Sequence, residues 1–291
     1  MRPGYRNRAS YCRIRSLKKL AFGSKVNTFK LKSTMPEIPD LNIFRDNLAK
    51  KLAGRTLSAI HIPITRQLKV PEIVIQESLE GHALTDIRRT GKELHFIFQN
   101  GHVLSVHLML HGTMYWYEGE NTNRFTIAEL LFEDQTGLAI TDWQKAVILT
   151  LDPKPAVVPD AMQLPDGYLR SALPKLSKSI KTVLTEGKTV QGIGNAYVDE
   201  ILYAAKISPF SKANKIPETN IEILTAAIKS VLTDAENHIR HNFPDTITEK
   251  ERDFLQVHRP KQSLTLSGEP ILKAEVDKRK TYYTESQHLF E

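Results

Sequence analysis

The sequence predicts an α+β fold: a β-sandwich first, a helical domain after it, and a return to strands at the end. Three observations carry this expectation. Short β-like stretches separated by polar turns crowd residues 57–141, the pattern of a sandwich. A Pro-rich stretch follows, with Pro153, Pro155, Pro159 and Pro165, and reads as an interdomain linker. Beyond it, apolar residues recur at helical spacing.

In chain order, Leu41, Phe44, Leu48 and Leu52 recur three or four residues apart, and Gly54 is a natural stop. A helix is expected there, its N-terminus suited to a phosphate. Strands are expected over 57–62, 94–98, 103–108 and 138–141, with Asn100-Gly101 as the hairpin turn between two of them. After the linker, 171–184 and 196–205 are candidate helices. Thr219 and Glu222 fit a capping box ahead of Leu224, Ile228, Val231, Ala235 and Ile239. From about Leu264 the pattern returns to strand. The expected divisions are 35–152 for the sandwich, 153–170 for the linker, 171–258 for the helical domain and 259–291 for the terminal strands.

Net charge is +7, but residues 1–34 hold ten Lys or Arg and no Asp or Glu. The remainder carries 30 basic against 33 acidic residues. The basic balance is therefore no footprint of nucleic-acid binding, and any anion-binding surface must come from clustering. The single cysteine, Cys12, lies in the basic extension, which excludes disulfides and thiolate metal sites from the body. No apolar run approaches the roughly 18 residues that span a membrane. The extension lacks the apolar segment of a secretory signal. Its Arg and Ser content fits a transit peptide; alternatively it is sequence upstream of the true start at Met35, or a precursor segment cleaved after Met35. We favour a start at Met35.

That preference rests on Met35-Pro36-Glu37-Ile38-Pro39-Asp40. Once Met35 is removed, Pro36 becomes a free secondary amine beside a carboxyl group. Schiff-base chemistry on a sugar aldehyde carbon needs this pair, a nucleophile and a proton shuttle. With a residue still attached, the Pro36 nitrogen is a tertiary amide without a usable lone pair. The plainer reading is a Pro-containing turn before a helix.

Two more motifs lie downstream. One is Gln191-Gly192-Ile193-Gly194-Asn195-Ala196-Tyr197-Val198-Asp199-Glu200-Ile201-Leu202, and the other Arg279-Lys280-Thr281-Tyr282-Tyr283. Together with Pro36-Glu37 they resemble the formamidopyrimidine-DNA glycosylase / endonuclease VIII family, in its order and at roughly its spacing. The first is similar to its helix–two-turns–helix signature, the second to the tip of its C-terminal β-hairpin finger. The resemblance runs from about Pro36 to Phe290.

The resemblance implies a bifunctional DNA glycosylase/AP lyase of base excision repair. Its partner would be double-stranded DNA with damaged bases or abasic sites, bound by a monomer with no cofactor, metal or membrane. Pro36 would attack the sugar C1′, expel the base and leave an iminium that promotes strand elimination. Glu37 would protonate the ring oxygen. Lys92, after Arg88-Arg89-Thr90-Gly91, resembles a lysine contacting phosphate at the lesion; a solvated surface charge is the plainer reading. Gly194 and Asn195 would meet backbone phosphate, with Lys181 and Lys188 flanking them. Arg279 would reach a phosphate of the flipped nucleotide. The finger's four metal-binding positions correspond to Leu264, Ser267, Thr284 and Gln287, so a zincless finger is expected.

Departures concern recognition. Asp40 stands where the family has Glu, and either orients the N-terminus or caps a helix. The residues that fill the gap left by a flipped base correspond to Leu110, Lys145 and Ala146. Leu110 can wedge; Ala146 cannot stack. Residues 243–256 lack the family's lesion-capping pattern. His107 and His111 lie four apart without a third ligand and read as ordinary histidines. Two alternatives use the same sequence: a non-catalytic binder of abasic or kinked DNA, and an RNA- or ribosome-binding protein, which Pro36-Glu37 counts against. A cytoplasmic, nucleoid-associated location is expected for a bacterial protein, and an organelle if the extension is a transit peptide.

Overall fold

The computed structural model describes residues 35–291; the extension assigned to residues 1–34 lies outside the described residues. The first element is α1 (Ile38–Leu52), entered through Pro39 in its first turn and carrying Lys50 and Lys51 in its last. Both placements suit a helix, since proline needs no N–H there and cations complement the C-terminal dipole. Leu41, Phe44, Leu48 and Leu52 are fully buried, as their spacing requires.

The strand-rich half is two four-stranded antiparallel sheets. One runs in the order β1 (Leu57–His61), β6 (Thr126–Phe132), β7 (Thr136–Thr141), β5 (Thr113–Glu118). The other runs β2 (Leu84–Thr90), β3 (Glu93–Phe98), β4 (Val103–His107), β8 (Ile148–Leu151). A helix unforeseen in the sequence, α2 (Glu72–Leu79), connects β1 to β2. Strand β3 alternates strictly, sending Leu94, Phe96 and Phe98 inward. The β3–β4 turn falls at Asn100-Gly101, where Gly101 takes a φ of +90°. Inward residues of both sheets form one core with the apolar face of α1.

The helical half contains α3 (Tyr168–Ala172), α4 (Ile180–Thr185), α5 (Asn195–Ala204) and α6 (Glu218–Asn242). The single helix expected over 171–184 is two. Pro174, which cannot continue a hydrogen-bonded ladder, follows α3 in a 3-10 turn, and Ser179 starts α4 by accepting from Thr182 N. Helix α5 matches its expectation closely. The capping box at Thr219 is not formed: Pro217 precedes the helix, and Thr219 already lies inside it. Ile38 of α1 packs in this half's core, so α1 belongs to both cores.

The terminal segment forms the hairpin β9 (Leu272–Val276) and β10 (Arg279–Tyr283). Asp277 and Lys278, both with positive φ, make its turn, the geometry that matches strand twist. The positions corresponding to metal ligands are hydrogen-bonded instead. Thr284 N donates to Gln287 Oε1 at 2.8 Å, and Gln287 Nε2 to Ile207 O at 2.8 Å. Ser267 Oγ lies 3.1 Å from Tyr203 OH. Glu269 joins this cluster, accepting from Tyr203 OH at 2.6 Å and from Ser286 Oγ at 2.7 Å. Among the described residues no cluster of three His, Cys, Asp or Glu side chains could hold a metal, and no helix is long and apolar enough to cross a membrane.

Candidate active site

Glu37 is 3% exposed. Its Oε2 accepts from Gly194 N at 2.7 Å and its Oε1 from Ala196 N at 3.0 Å. The carboxylate thus sits on the N-terminus of α5, where free N–H groups and the helix dipole favour an anion. Glycine is required for this fit. A Cβ on Gly194 would lie 2.3 Å from the Glu37 carboxyl carbon, and one on Gly192 would lie 2.3 Å from Ile38 Cδ1. The expectation that Gly194 clears space for a phosphate is therefore corrected: its N–H is taken by Glu37, and its bareness makes room for that carboxylate.

Asp40 is fully buried in the first turn of α1. It accepts from Glu37 N at 2.8 Å. It also accepts from both terminal nitrogens of Arg252, at 2.8 and 2.5 Å. One contact serves both readings of Asp40: at N3 it closes the capping box of α1 on Glu37 N, and Arg252 fixes the aspartate there. Burial disfavours the Arg252 charge, but Asp40, with Tyr197 and Glu37, outweighs it and raises the guanidinium pKa. Arg252 lies in the segment 243–256, which lacks the family's lesion-capping pattern. That segment is a strap against the strand-rich half. Asn47 Nδ2 donates to Pro244 O and Thr246 O at 2.8 and 2.9 Å, Thr248 Oγ1 donates to Met114 O, and Lys250 Nζ donates to Gly112 O.

Lys92, Lys181 and Arg252 all lie within electrostatic reach of Glu37. Lys92 lies in the β2–β3 turn, which is fixed from two sides. Arg89 pairs with Asp160 of the linker through contacts of 2.5 and 2.9 Å, and Asp160 also accepts from Gly91 N at 3.1 Å. Gln191 packs on Gly91. Burial depresses the Lys92 pKa, the charge of Glu37 opposes this, and Arg279 adds to the depression. Arg279, at the start of β10, likewise acts on Lys181. Neither Lys92 nor Arg279 spends its charge on a hydrogen bond or ion pair among the described residues, which leaves both available to an anion.

Lys181 does not fit the role expected of it. It is wholly buried, where it donates to Asp199 Oδ1 at 2.7 Å, Thr281 Oγ1 at 2.9 Å and Lys280 O at 3.0 Å. Every donor of its ammonium is used, so it ties β10 to α4 and α5 rather than touching DNA. Lys188 is exposed, as a backbone contact needs. Asn195 Nδ2 donates to Lys280 O at 2.9 Å, while its Oδ1 is buried without a partner. Tyr197 OH and Arg252 Nε, both within the electrostatic reach of Asp40 and Glu37, are likewise unpartnered among the described residues.

The positions expected to fill the gap occupy adjoining loops. Leu110 is 40% exposed at the β4–β5 turn, and Lys145 is exposed in the β7–β8 loop with Ala146 half-buried beside it. His107 Nδ1 accepts from Met109 N at 3.1 Å, and burial lowers the His107 pKa, so it shapes this turn. Sequence reasoning missed Arg252, Lys250 and Asp160. An arginine or aspartate in a loop carries no signal of its own; an acid at Asp40 needing a buried partner was the only hint.

Comparison with known proteins follows this geometry. Residues 35–147 match the formamidopyrimidine-DNA glycosylase N-terminal domain, and residues 156–241 match the H2TH domain of the same family. The chain is 32% identical over 216 residues to the formamidopyrimidine-DNA glycosylase of Enterococcus faecalis, covering 69% of this chain and 76% of that protein. It is 29% identical over 270 residues to that of Ureaplasma parvum, covering 86% and 98%. A crystal structure of Lactococcus lactis Fpg with DNA containing an abasic site superposes with a TM-score of 0.78 at 25% identity, covering 87% of this chain and all of that one. A structure of MutM with DNA containing carbocyclic 8-oxo-G gives 0.76 at 26% identity, covering 86% and 98%.

Proposed function

Since the chain belongs to the formamidopyrimidine-DNA glycosylase family, we propose that it is a DNA glycosylase of base excision repair with abasic-site lyase activity, acting on double-stranded DNA with damaged bases or abasic sites. Pro36, freed of the preceding residues, attacks C1′ of the damaged nucleotide. The base leaves, and the nitrogen remains bound as an iminium. This acidifies the neighbouring sugar hydrogens, and elimination breaks the strand. Glu37 protonates the ring oxygen and shuttles protons. Lys92 and Arg279 take phosphates at the lesion, Asn195 and Lys188 the adjoining backbone.

The observation that carries this reading is the seat of Glu37. A carboxylate that begins one half of the molecule is held by two N–H groups of the other, with Lys92 in its electrostatic reach and in no ion pair among the described residues. Such preorganisation fixes the carboxylate in one place and orientation beside the N-terminal amine, as a proton shuttle requires. The family match also begins at residue 35, which supports Pro36 as the working terminus.

Borohydride trapping tests the chemistry, because reduction fixes an iminium. Protein beginning at Pro36 should form a covalent complex with abasic DNA, and protein retaining residues 1–35 almost none. Equal trapping by both would assign the nucleophile to another amine.

A further inference from the structure

The loops beside the candidate active site hold an exposed aromatic that the assigned residues leave unused. Trp143, in the β7–β8 loop, is 59% exposed. Its ring lies 4.8 Å from that of His111, tilted by 48°, so it stands beside the turn that carries Leu110.

Both loops are tied down by hydrogen bonds and close packing. Asp142, 1% exposed, accepts from Gln144 N at 2.9 Å, Ala146 N at 2.7 Å and Val147 N at 3.1 Å. Gly112 closes the other turn by donating to Leu108 O at 2.9 Å, and a Cβ there would lie 2.7 Å from Val147 Cγ2. Phe125 O accepts from Asp142 N at 3.0 Å, which brings a third loop alongside. Met109, Phe125 and Lys145, one in each loop, hold positive φ although none is glycine. Strain of this kind persists where surrounding structure enforces it, and it clusters at sites of function. The loops also connect to the residues that orient Glu37. Lys250 holds Gly112 O and lies within electrostatic reach of Asp40, Arg252 and Asp142.

An enzyme that extrudes a nucleotide must keep the duplex from closing behind it, and an apolar wedge between base steps does so. Ala146 has no surface for that purpose. We propose that Trp143 enters the duplex and stacks in the space left by the extruded nucleotide, with Leu110 wedging beside it. Exposed Lys145 and Arg124 supply positive charge for the flanking phosphates. An indole presents a large flat face at little entropic cost, and it stacks on any base. The plug therefore moves from the loop's inner residue to its outer one. This inference rests on the glycosylase reading.

The test uses the full chain and two fluorescent duplexes, one intact and one with a tetrahydrofuran abasic analogue. The parent should prefer the tetrahydrofuran duplex. Trp143→Ala should weaken binding to that duplex by about ten-fold and leave affinity for the intact duplex and the melting temperature unchanged. Trp143→Phe should retain most of the preference. In a Trp116→Phe background, Trp143 emission should be quenched by the tetrahydrofuran duplex and not by the intact one. Undiminished preference in Trp143→Ala, or equal loss on both duplexes, overturns the proposal alone. A parent with no preference for the tetrahydrofuran duplex overturns the glycosylase reading and this proposal with it.

Discussion

Arg252 grips Asp40 through both of its terminal nitrogens, across 212 residues of sequence. Asp40 is 0% and Arg252 6% exposed, so the pair is a buried, bidentate ion pair. Removing one partner strands the other charge, which typically costs about 3–5 kcal/mol. Arg252→Ala should lose stability on this scale in urea denaturation. It should also lower turnover in the protein that survives, because Glu37 N loses the fixed acceptor that orients it. Unchanged turnover at full folding would remove Asp40 from the positioning of Glu37.

Gly194 and Glu37 are fitted to each other. Gly194→Ala places a methyl group 2.3 Å from the carboxyl carbon and should displace it, cutting base excision while leaving binding of abasic DNA. Glu37→Gln keeps the shape and removes the acid. It should bind abasic DNA nearly as well as the parent and fail to excise bases. Full glycosylase turnover by Glu37→Gln would move the proton transfer to another carboxylate.

Two lysines that flank the helix–two-turns–helix segment separate cleanly. Lys181→Ala breaks a fully buried pair with Asp199 and should cost about 3–5 kcal/mol of folding stability. Lys188→Ala should alter stability by less than about 0.5 kcal/mol and flatten the salt dependence of DNA binding by about one unit of slope. Melting curves and a salt titration of both variants decide the assignment.

Lys250 gives stability a pH dependence. Burial lowers its pKa in the folded protein to about 8, against an ordinary 10.5. Below pH 8 it is charged in both states, and the cost of burying that charge is fully present. Between about 8 and 10.5 the unfolded chain binds the proton that the folded protein has released, so stability rises with pH. Lys250→Met removes the titration. The stability difference between parent and variant should therefore move in the parent's favour from pH 8 to pH 10. A constant difference across that range would mean that the folded protein does not depress this pKa.

Legibility of the fold followed physical range. Helix α1, the β3–β4 hairpin and α5 were legible because spacing and turn chemistry are local properties. The break between α3 and α4 was signalled by Pro174 but masked by apolar residues on both sides. In the candidate site, Glu37 and Arg279 were legible through motifs. The burial of Lys181 was not, since a lysine's place on a helix does not reveal which neighbour will cover it. Arg252 was illegible for the same reason from the other side. Its meaning lies in Asp40, and no local pattern joins residues so far apart.

Helix α1 has a thermodynamic consequence. Ile38 packs in one core and Leu41 in the other, so neither half can melt without uncovering part of the helix that completes its neighbour. The described body should unfold as one cooperative unit despite its two cores. Bending of the halves around a duplex would load this shared rod along with the 243–256 strap, and Glu37 stands at the rod's end.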